Sequence, residues 1–263
     1  MRRTMMSIYC LTVPSWETFP GLVHAFLGRT GGESAPPYAS LNLSYRVGDD
    51  LSRVKENWCQ VKKTLGIHAE KVTLMRQVHG NRVLTVSEAG EKEAGEGDAM
   101  ITDRPDVFLG ILTADCVPIL LVEPQRQVVA AIHAGWRGTL HGVIEQTLTR
   151  LQEGYGIAPS ALYAALGPAI EGCCYEVGSE IYTRIMTRWG QLARPAWRVT
   201  DGRYYLDLRT LHTALLQHLG LSPAQILRVG PCTGCHTDRF FSHRKEAGKT
   251  GRQASIIGWY RHA

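Results

Sequence analysis

The sequence predicts an α+β domain built on a largely mixed sheet, and three observations carry that expectation. Short β-prone runs outnumber helical ones. The two kinds are interspersed without the strict strand–helix alternation of a doubly wound sheet. Nothing in the 263 residues reads as a linker, an internal repeat or a low-complexity segment. The length suffices for one large domain or two small ones, and the unbroken pattern favours one, over 1–263. Apolar residues at 44% and charged residues at 20% are ordinary for a globular chain and exclude a disordered one.

The elements follow in chain order. A strand is expected at Leu22–Leu27, then a loop from Gly28 to Ser40 holding Gly31-Gly32 and Pro36-Pro37. Asp49 or Asp50 caps a helix running to Leu65. Its Leu51, Val54, Trp58, Val61 and Leu65 recur at helical spacing, and Gly66 stops it. Strands at Lys71–Val78 and Arg82–Val86 precede an exposed loop, Glu88 to Gly97. Val107–Leu112, Pro118–Val122 and Gln127–His133 are apolar runs of strand length. A second helix begins near Trp136, with Leu140, Val143, Ile144, Thr147, Leu148 and Leu151 on one face. Beyond it lie strand Ala161–Leu166, helix Ser179–Trp189, strand Tyr204–Leu206, helix Leu208–Leu219, strand Gln225–Val229 and a last strand near Ala254–Trp259.

The most apolar region, Val107 to Val122, carries Asp115 and Pro118 and is too short and polar to span a bilayer. The basic start Met1-Arg2-Arg3-Thr4 is followed by apolar residues interrupted at Pro14 and Glu17, which is not a signal-peptide pattern. Seven cysteines, an odd number, make a poor disulfide framework. A cytoplasmic protein with reduced thiols is the expectation, as a monomer or small homo-oligomer with no membrane partner. The net charge of +5 is concentrated at one end: from Arg228 onward there are seven Lys/Arg against two acids. Such a tail suits an anionic small ligand or nucleic acid, or is a solvated basic face.

Three segments place a polar or sulfur side chain beside a turn residue at the end of an apolar run. His79 precedes Gly80, Asp115 and Cys116 precede Pro118, and His133 precedes Gly135. Positions of this kind suit sites carried on a rigid sheet. Two histidines and a cysteine form a borderline-soft donor set, suited to zinc or copper rather than magnesium or calcium. Three protein donors would leave a fourth position open, as in catalytic zinc. The spacings are not a local metal motif, so a core cysteine with two satisfied histidines is an alternative. A nucleophilic Cys116 with His133 as its base is another.

The strings QVHG (77–80), GDAMITD (97–103), LTADCVPILL (112–121) and IHAGWRGT (132–139) closely resemble the YfiH/laccase-domain family. So do RTGGES…PYASLNLS (29–44), LGPAIEGCCYEVG (166–178) and FFSHRKEAGKTGR (240–252), in order from about residue 20 to the end. The resemblance implies a compact α/β sandwich related to toxin-type cysteine hydrolases. It implies zinc on His79, Cys116 and His133, with copper as a substitute. It also implies phosphorolysis of adenosine, inosine, guanosine and methylthioadenosine, together with adenosine deamination. Purine nucleosides and inorganic phosphate are then the partners, and nucleic acid is not. Copper-dependent polyphenol oxidation fits the residues poorly, because no His-x-His occurs among the ten histidines and one copper cannot carry four-electron oxygen reduction.

Within that reading, phosphate calls for arginines. Arg29 and Arg137 are the first candidates and Arg244 from the FFSHR string the next, with Lys245 beside it. Asn42 and His243 are candidates for sugar or base contacts. Asp115 is expected to accept a histidine N–H or carry a proton. His68-Ala69-Glu70 with Cys232-x-x-Cys235 spells the zinc-deaminase signature, but the halves lie at opposite ends of the chain and read as coincidence. Cys232-x-x-Cys235 has no second C-x-x-C to complete a zinc site, so it reads as an ordinary reduced pair, and Cys173-Cys174 as packing.

Overall fold

The computed structural model describes residues 7–67, 72–88 and 93–261. The Met1–Thr4 start, the His68-Ala69-Glu70 string, Lys71 and residues 89–92 of the expected loop lie outside the described residues. The first half of the chain runs β1 (Cys10–Leu11), β2 (Leu22–Leu27), α1 (Leu51–Thr64), β3 (Val72–Thr73), β4 (Val83–Thr85), β5 (Ala99–Thr102), β6 (Phe108–Thr113), β7 (Val117–Glu123) and β8 (Val128–Ala134). The second half runs α2 (Trp136–His141), α3 (Val143–Tyr155), β9 (Tyr163–Leu166), β10 (Glu176–Val177), α4 (Ser179–Trp189), β11 (Trp197–Thr200), β12 (Arg203–Leu206), α5 (Leu208–His218), β13 (Ile226–Arg228) and β14 (Gln253–Trp259). Short 3₁₀ turns occupy several connections.

Two mixed sheets pack face to face, in the orders β1-β2-β14-β6-β3 and β13-β9-β7-β8-β5-β4, and β10-β12-β11 forms a small third sheet. The α+β expectation and the sandwich architecture both hold. Strand β7 displays the layering. Val117, Ile119 and Leu121 join a cluster with Ile144, Leu148 and Leu151 of α3 and Leu211 and Leu215 of α5. Leu120 and Val122 point the other way, into the inter-sheet layer with Leu109, Ile111, Val129 and Ile257. Burial on both faces explains why β7 and β8 read as unbroken apolar runs rather than alternating ones. Helix α1 covers the outer face of the five-stranded sheet, where Val54, Trp58 and Val61 meet Ala25, Leu27 and Ile256.

Local chemistry explains where the expected boundaries hold and where they fail. Asp50 accepts the Ser52 N–H at 2.8 Å and caps α1, but Leu51, in its first turn, is 60% exposed rather than part of the apolar face. The helix expected from Trp136 is two helices, because Gly142 takes φ +82° and ends α2. The strand expected over 71–78 is only β3. After Thr73 the chain leaves the ladder, and the Gln77 carboxamide pairs with both the Leu112 N–H and C=O at 2.8 and 2.7 Å. His79 is therefore in a loop at φ +59° and not at a strand end.

Two buried histidines are held neutral. His212 donates from Nε2 to the Thr139 hydroxyl at 2.7 Å, and that hydroxyl donates onward to the Gly135 carbonyl at 2.8 Å. Nε2 of His24 accepts the Val13 N–H at 2.8 Å. Burial lowers their pKa values to about 3 and about 4. The unfolded chain takes up these two protons near pH 6.5 and the folded one does not, so stability falls with pH below 6.5. The slope is up to roughly 1.4 kcal/mol per pH unit for each ring. The urea midpoint should therefore drop steeply between pH 6.5 and pH 5, with a shallower drop in His212→Gln. A midpoint unchanged over that interval would mean that the rings protonate in the native state.

Candidate active site

The candidate residues meet because of strand order. In the β7–β8 ladder Val117 faces Ala134 and Pro118 faces His133, which brings Cys116, at the turn entering β7, opposite Gly135. Loop residue His79 completes the group. Its Nε2 lies 3.9 Å from Cys116 Sγ, and its ring meets that of His133 edge-on at 4.8 Å between centroids. Donor atoms of His79, Cys116 and His133 all lie within 4.8 Å of one another. A bare glycine makes the approach possible, since a Cβ at Gly135 would lie 2.8 Å from Cys116 Sγ and 3.3 Å from His79 Cδ2.

The residue that organises this group is Asp98, which the sequence reading did not single out. It is fully buried and sits immediately before β5, beside His133 in the β5–β8 ladder. One carboxylate oxygen accepts from His133 Nδ1 at 2.8 Å and from the His79 backbone N–H at 2.9 Å. The other accepts the backbone N–H groups of Gly80 at 2.6 Å and Val78 at 3.3 Å. These bonds support the left-handed turn at His79, a conformation uncommon outside glycine. Because Nδ1 donates to Asp98, Nε2 of His133 is the nitrogen on the Cys116 side and presents a lone pair there once its own proton is given up, as a metal-binding histidine must.

The electrostatics agree with that arrangement. Burial alone would raise the Cys116 thiol, but His133 and His79 beside it bring it down to about 6. Burial likewise opposes charge on His133, yet Cys116 and Asp98 lift it to about 9. The donor set and its carboxylate support thus fit a thiophilic divalent ion, and a thiolate–imidazolium pair is the metal-free state.

Asp115 plays a different part from the one expected. Its carboxylate accepts the Thr233 and Ser242 hydroxyls at 2.7 and 2.8 Å and the Arg244 N–H at 2.7 Å. It ties the C-terminal loop to the turn that carries Cys116 and touches neither histidine; Asp98 holds that role instead. His79, Cys116, His133, Asp115, Arg137, His243 and Arg244 all line one cleft of about 600 Å³. The structure does not bring Arg29 or Asn42 into it. The Arg29 guanidinium is occupied by the carbonyls of Ala39 and Thr237 and by Glu246 at 2.9 Å, and lies over the Phe241 ring. Asn42 is buried and clamps its own loop, donating to Ser44 O and Asp49 and accepting the Ser44 and Arg252 N–H groups.

Three further arginines line the cleft without having been anticipated: Arg46, Arg76 and Arg252. Arg46 and Arg76 pair with Glu93 and Glu96 at 2.5 Å. Among the described residues Arg137 forms no ion pair and lies over the Trp136 ring at 4.4 Å. Trp136, Tyr175, Leu74 and Ile170 add apolar surface to the same walls. Lys245 is exposed and lies outside this lining. One cluster outside the cleft, with Cys173 and Cys235 exposed and Cys232 buried, also departs from expectation. Cys173 and Cys174 do not simply pack, and Cys232 and Cys235 are not an isolated pair: the four sulfurs converge within 4.8 Å.

Comparison with known proteins places these features in context. A family model described as multi-copper polyphenol oxidoreductase laccase matches residues 23–260. The chain is 39% identical over 236 residues to a protein of Deinococcus radiodurans named purine nucleoside phosphorylase, covering 89% of this chain and 88% of the relative. It is 35% identical over 249 residues to the purine nucleoside phosphorylase YlmD of Geobacillus stearothermophilus, covering 91% of each. The crystal structure of YlmD from Geobacillus stearothermophilus superposes with a TM-score of 0.91 at 33% identity, over 97% of this chain and 98% of that one.

Proposed function

Because the chain belongs to the family described as multi-copper polyphenol oxidoreductase laccase, whose relatives include proteins named purine nucleoside phosphorylase, we propose that it is a zinc-dependent purine nucleoside phosphorylase that also deaminates adenosine. The observation that carries this reading is the His79–Cys116–His133 donor set opening into a cleft lined by five arginines and by the rings of Tyr45, Trp136 and Tyr175. Adenosine, inosine, guanosine and methylthioadenosine are the proposed substrates, in a cytoplasmic enzyme that acts as one domain. The two donor clusters found among the described residues are a His₂Cys set and an all-cysteine set. Neither supplies the histidine pairs of a multi-copper centre.

In phosphorolysis a phosphate oxygen bonds to C1′ of the ribose while the C1′–N9 bond breaks. Its electron pair leaves with the purine, which takes up a proton. Arg137, which forms no ion pair among the described residues, is the first ligand for the phosphate, with Arg252 and Arg244 completing a cationic wall. Trp136 and Tyr175 offer flat apolar surface to the purine, and His243 is placed to contact sugar or base. Asp115 keeps Arg244 in position through its backbone N–H, while Asp98 keeps both histidines aimed at one point. Zinc held by His79, Cys116 and His133 would supply a Lewis acid for a substrate oxygen or an ionised water for attack at purine C6.

The decisive assay uses metal-quantified protein with inosine or adenosine, with and without phosphate. Phosphate-dependent ribose 1-phosphate is expected, together with phosphate-independent inosine from adenosine. Cys116→Ala should lose at least 100-fold in both, as expected when a donor to a catalytic ion is removed. A Cys116→Ala protein with full phosphorolysis would refute the assignment. A second reading draws on the Cys116–His133–Asp98 alignment, which is also that of a cysteine hydrolase. Such an enzyme would keep its activity after chelation and lose it on thiol alkylation, whereas the phosphorylase should lose activity with its metal.

A further inference from the structure

Four of the cysteines outside the cleft lie on two loops that leave neighbouring strands. β9 and β13 are parallel partners, so both loops exit at the same end of the sheet. Cys173 and Cys174 lie in the turn after β9, and Cys232 and Cys235 in the turn after β13. A bridge between Ala169 and Cys232 aligns the loops, and Arg209, buried between them, donates to the Val229 and Gly230 carbonyls and to Glu171. Cys235 Sγ lies 3.4 Å from both Cys173 Sγ and Cys174 Sγ, and all four sulfurs fall within 4.8 Å.

That spacing discriminates between chemistries. A disulfide requires about 2.05 Å between sulfurs, and all four cysteines are free thiols. A tetrahedral zinc with four Zn–S bonds of about 2.3 Å needs its sulfurs about 3.8 Å apart, and here two pairs are 3.4 Å apart with every pair within 4.8 Å. The space holds one ion and not the larger core of an iron–sulfur cluster. Two local features fit a thiolate site. The Glu171 backbone N–H points at Cys232 Sγ at 3.3 Å, a donor of the kind that steadies metal-bound sulfur. Gly234 lets the Cys232–Cys235 turn close on Cys174, since a Cβ there would lie 2.9 Å from Cys174 Cβ and 3.2 Å from its sulfur.

We propose that Cys173, Cys174, Cys232 and Cys235 form a second, structural zinc site that clamps the β9 and β13 loops together. The clamp lies next to the cleft wall. Tyr175 follows Cys174 directly, and Thr233, between the two C-x-x-C cysteines, donates to Asp115. The site therefore holds the surface that carries Tyr175 and, through Asp115, the Arg244 loop. It does not depend on the nucleoside reading.

The test is metal analysis and zinc X-ray absorption on protein purified under reducing conditions with zinc in the medium. His79→Ala/His133→Ala removes the first donor set and should retain about one zinc per chain, surrounded by four sulfurs at about 2.3 Å. Cys232→Ser/Cys235→Ser should lose one zinc relative to the wild type, and the remaining ion should show mixed nitrogen and sulfur ligation. If the cysteine variant does not fold, the absorption spectrum of the histidine variant decides alone. A histidine variant that binds no zinc, holds iron instead, or has these cysteines linked as disulfides would overturn the assignment.

Discussion

Asp98→Asn should weaken zinc binding by roughly 10–100-fold while leaving the two sheets folded. The carboxylate faces only donors: three backbone N–H groups and His133 Nδ1. A carboxamide of the same shape has one accepting oxygen and must turn its NH₂ toward one side of that set. If the NH₂ faces His133, the ring adopts the other tautomer. The proton then sits on Nε2, and the lone pair no longer faces Cys116. If it faces the amides of Val78 and Gly80, the left-handed turn at His79 loses its support. Either outcome removes one histidine from the donor set. Asp98→Ala goes further, leaving several buried donors unpaired at about 1–3 kcal/mol each, and should lower the unfolding free energy as well. Chelator competition measures the affinity and urea unfolding the stability. Wild-type zinc affinity in Asp98→Asn would show that the histidines need no carboxylate to orient them.

Gly135→Ala should produce the opposite combination, a stable protein with a damaged site. Its φ of −85° and ψ of 174° are open to alanine, and the narrowed unfolded ensemble, worth up to about 1 kcal/mol, offsets the poorer N-cap that alanine gives α2. The added Cβ, however, would lie 2.8 Å from Cys116 Sγ. The sulfur has one side-chain torsion and stands in a turn whose neighbour Asp115 is held at three points, so it must shift by a substantial fraction of an ångström. Displacement on that scale costs on the order of 100-fold in rate. Thermal stability close to that of the wild type, with turnover reduced to that extent, is the expected pair of results. Full turnover would mean that Cys116 has room to move without consequence.

Most of the scaffold and part of the site were legible in the sequence. Leu22–Leu27 and Ser179–Trp189 are predicted to the residue, because a strand or helix bounded by glycine or a turn announces itself locally. The short strand β5 escaped notice, and with it Asp98: four residues of apolar chain after a glycine-rich loop carry too little periodicity to identify. Arg29 and Asn42 lie in a family-like string, yet both are consumed by contacts within their own loop and with the C-terminal segment. Having the right residue type in the right string does not settle which way a side chain faces.

The sequence by itself determined the donor chemistry: two imidazoles and a thiol beside turn residues, in a chain whose apolar runs must be buried on both faces. Those properties are local and survive without knowledge of the fold. Only the tertiary structure decided what meets what. Asp98 faces His133 because β5 pairs antiparallel with β8 in one register, and Cys116 faces Gly135 because β7 does so on the other side. Two pairs of cysteines about sixty residues apart converge because β9 and β13 are parallel neighbours. Strand order and register are set by the packing of whole sheets and helices, a long-range balance that no short stretch of residues encodes.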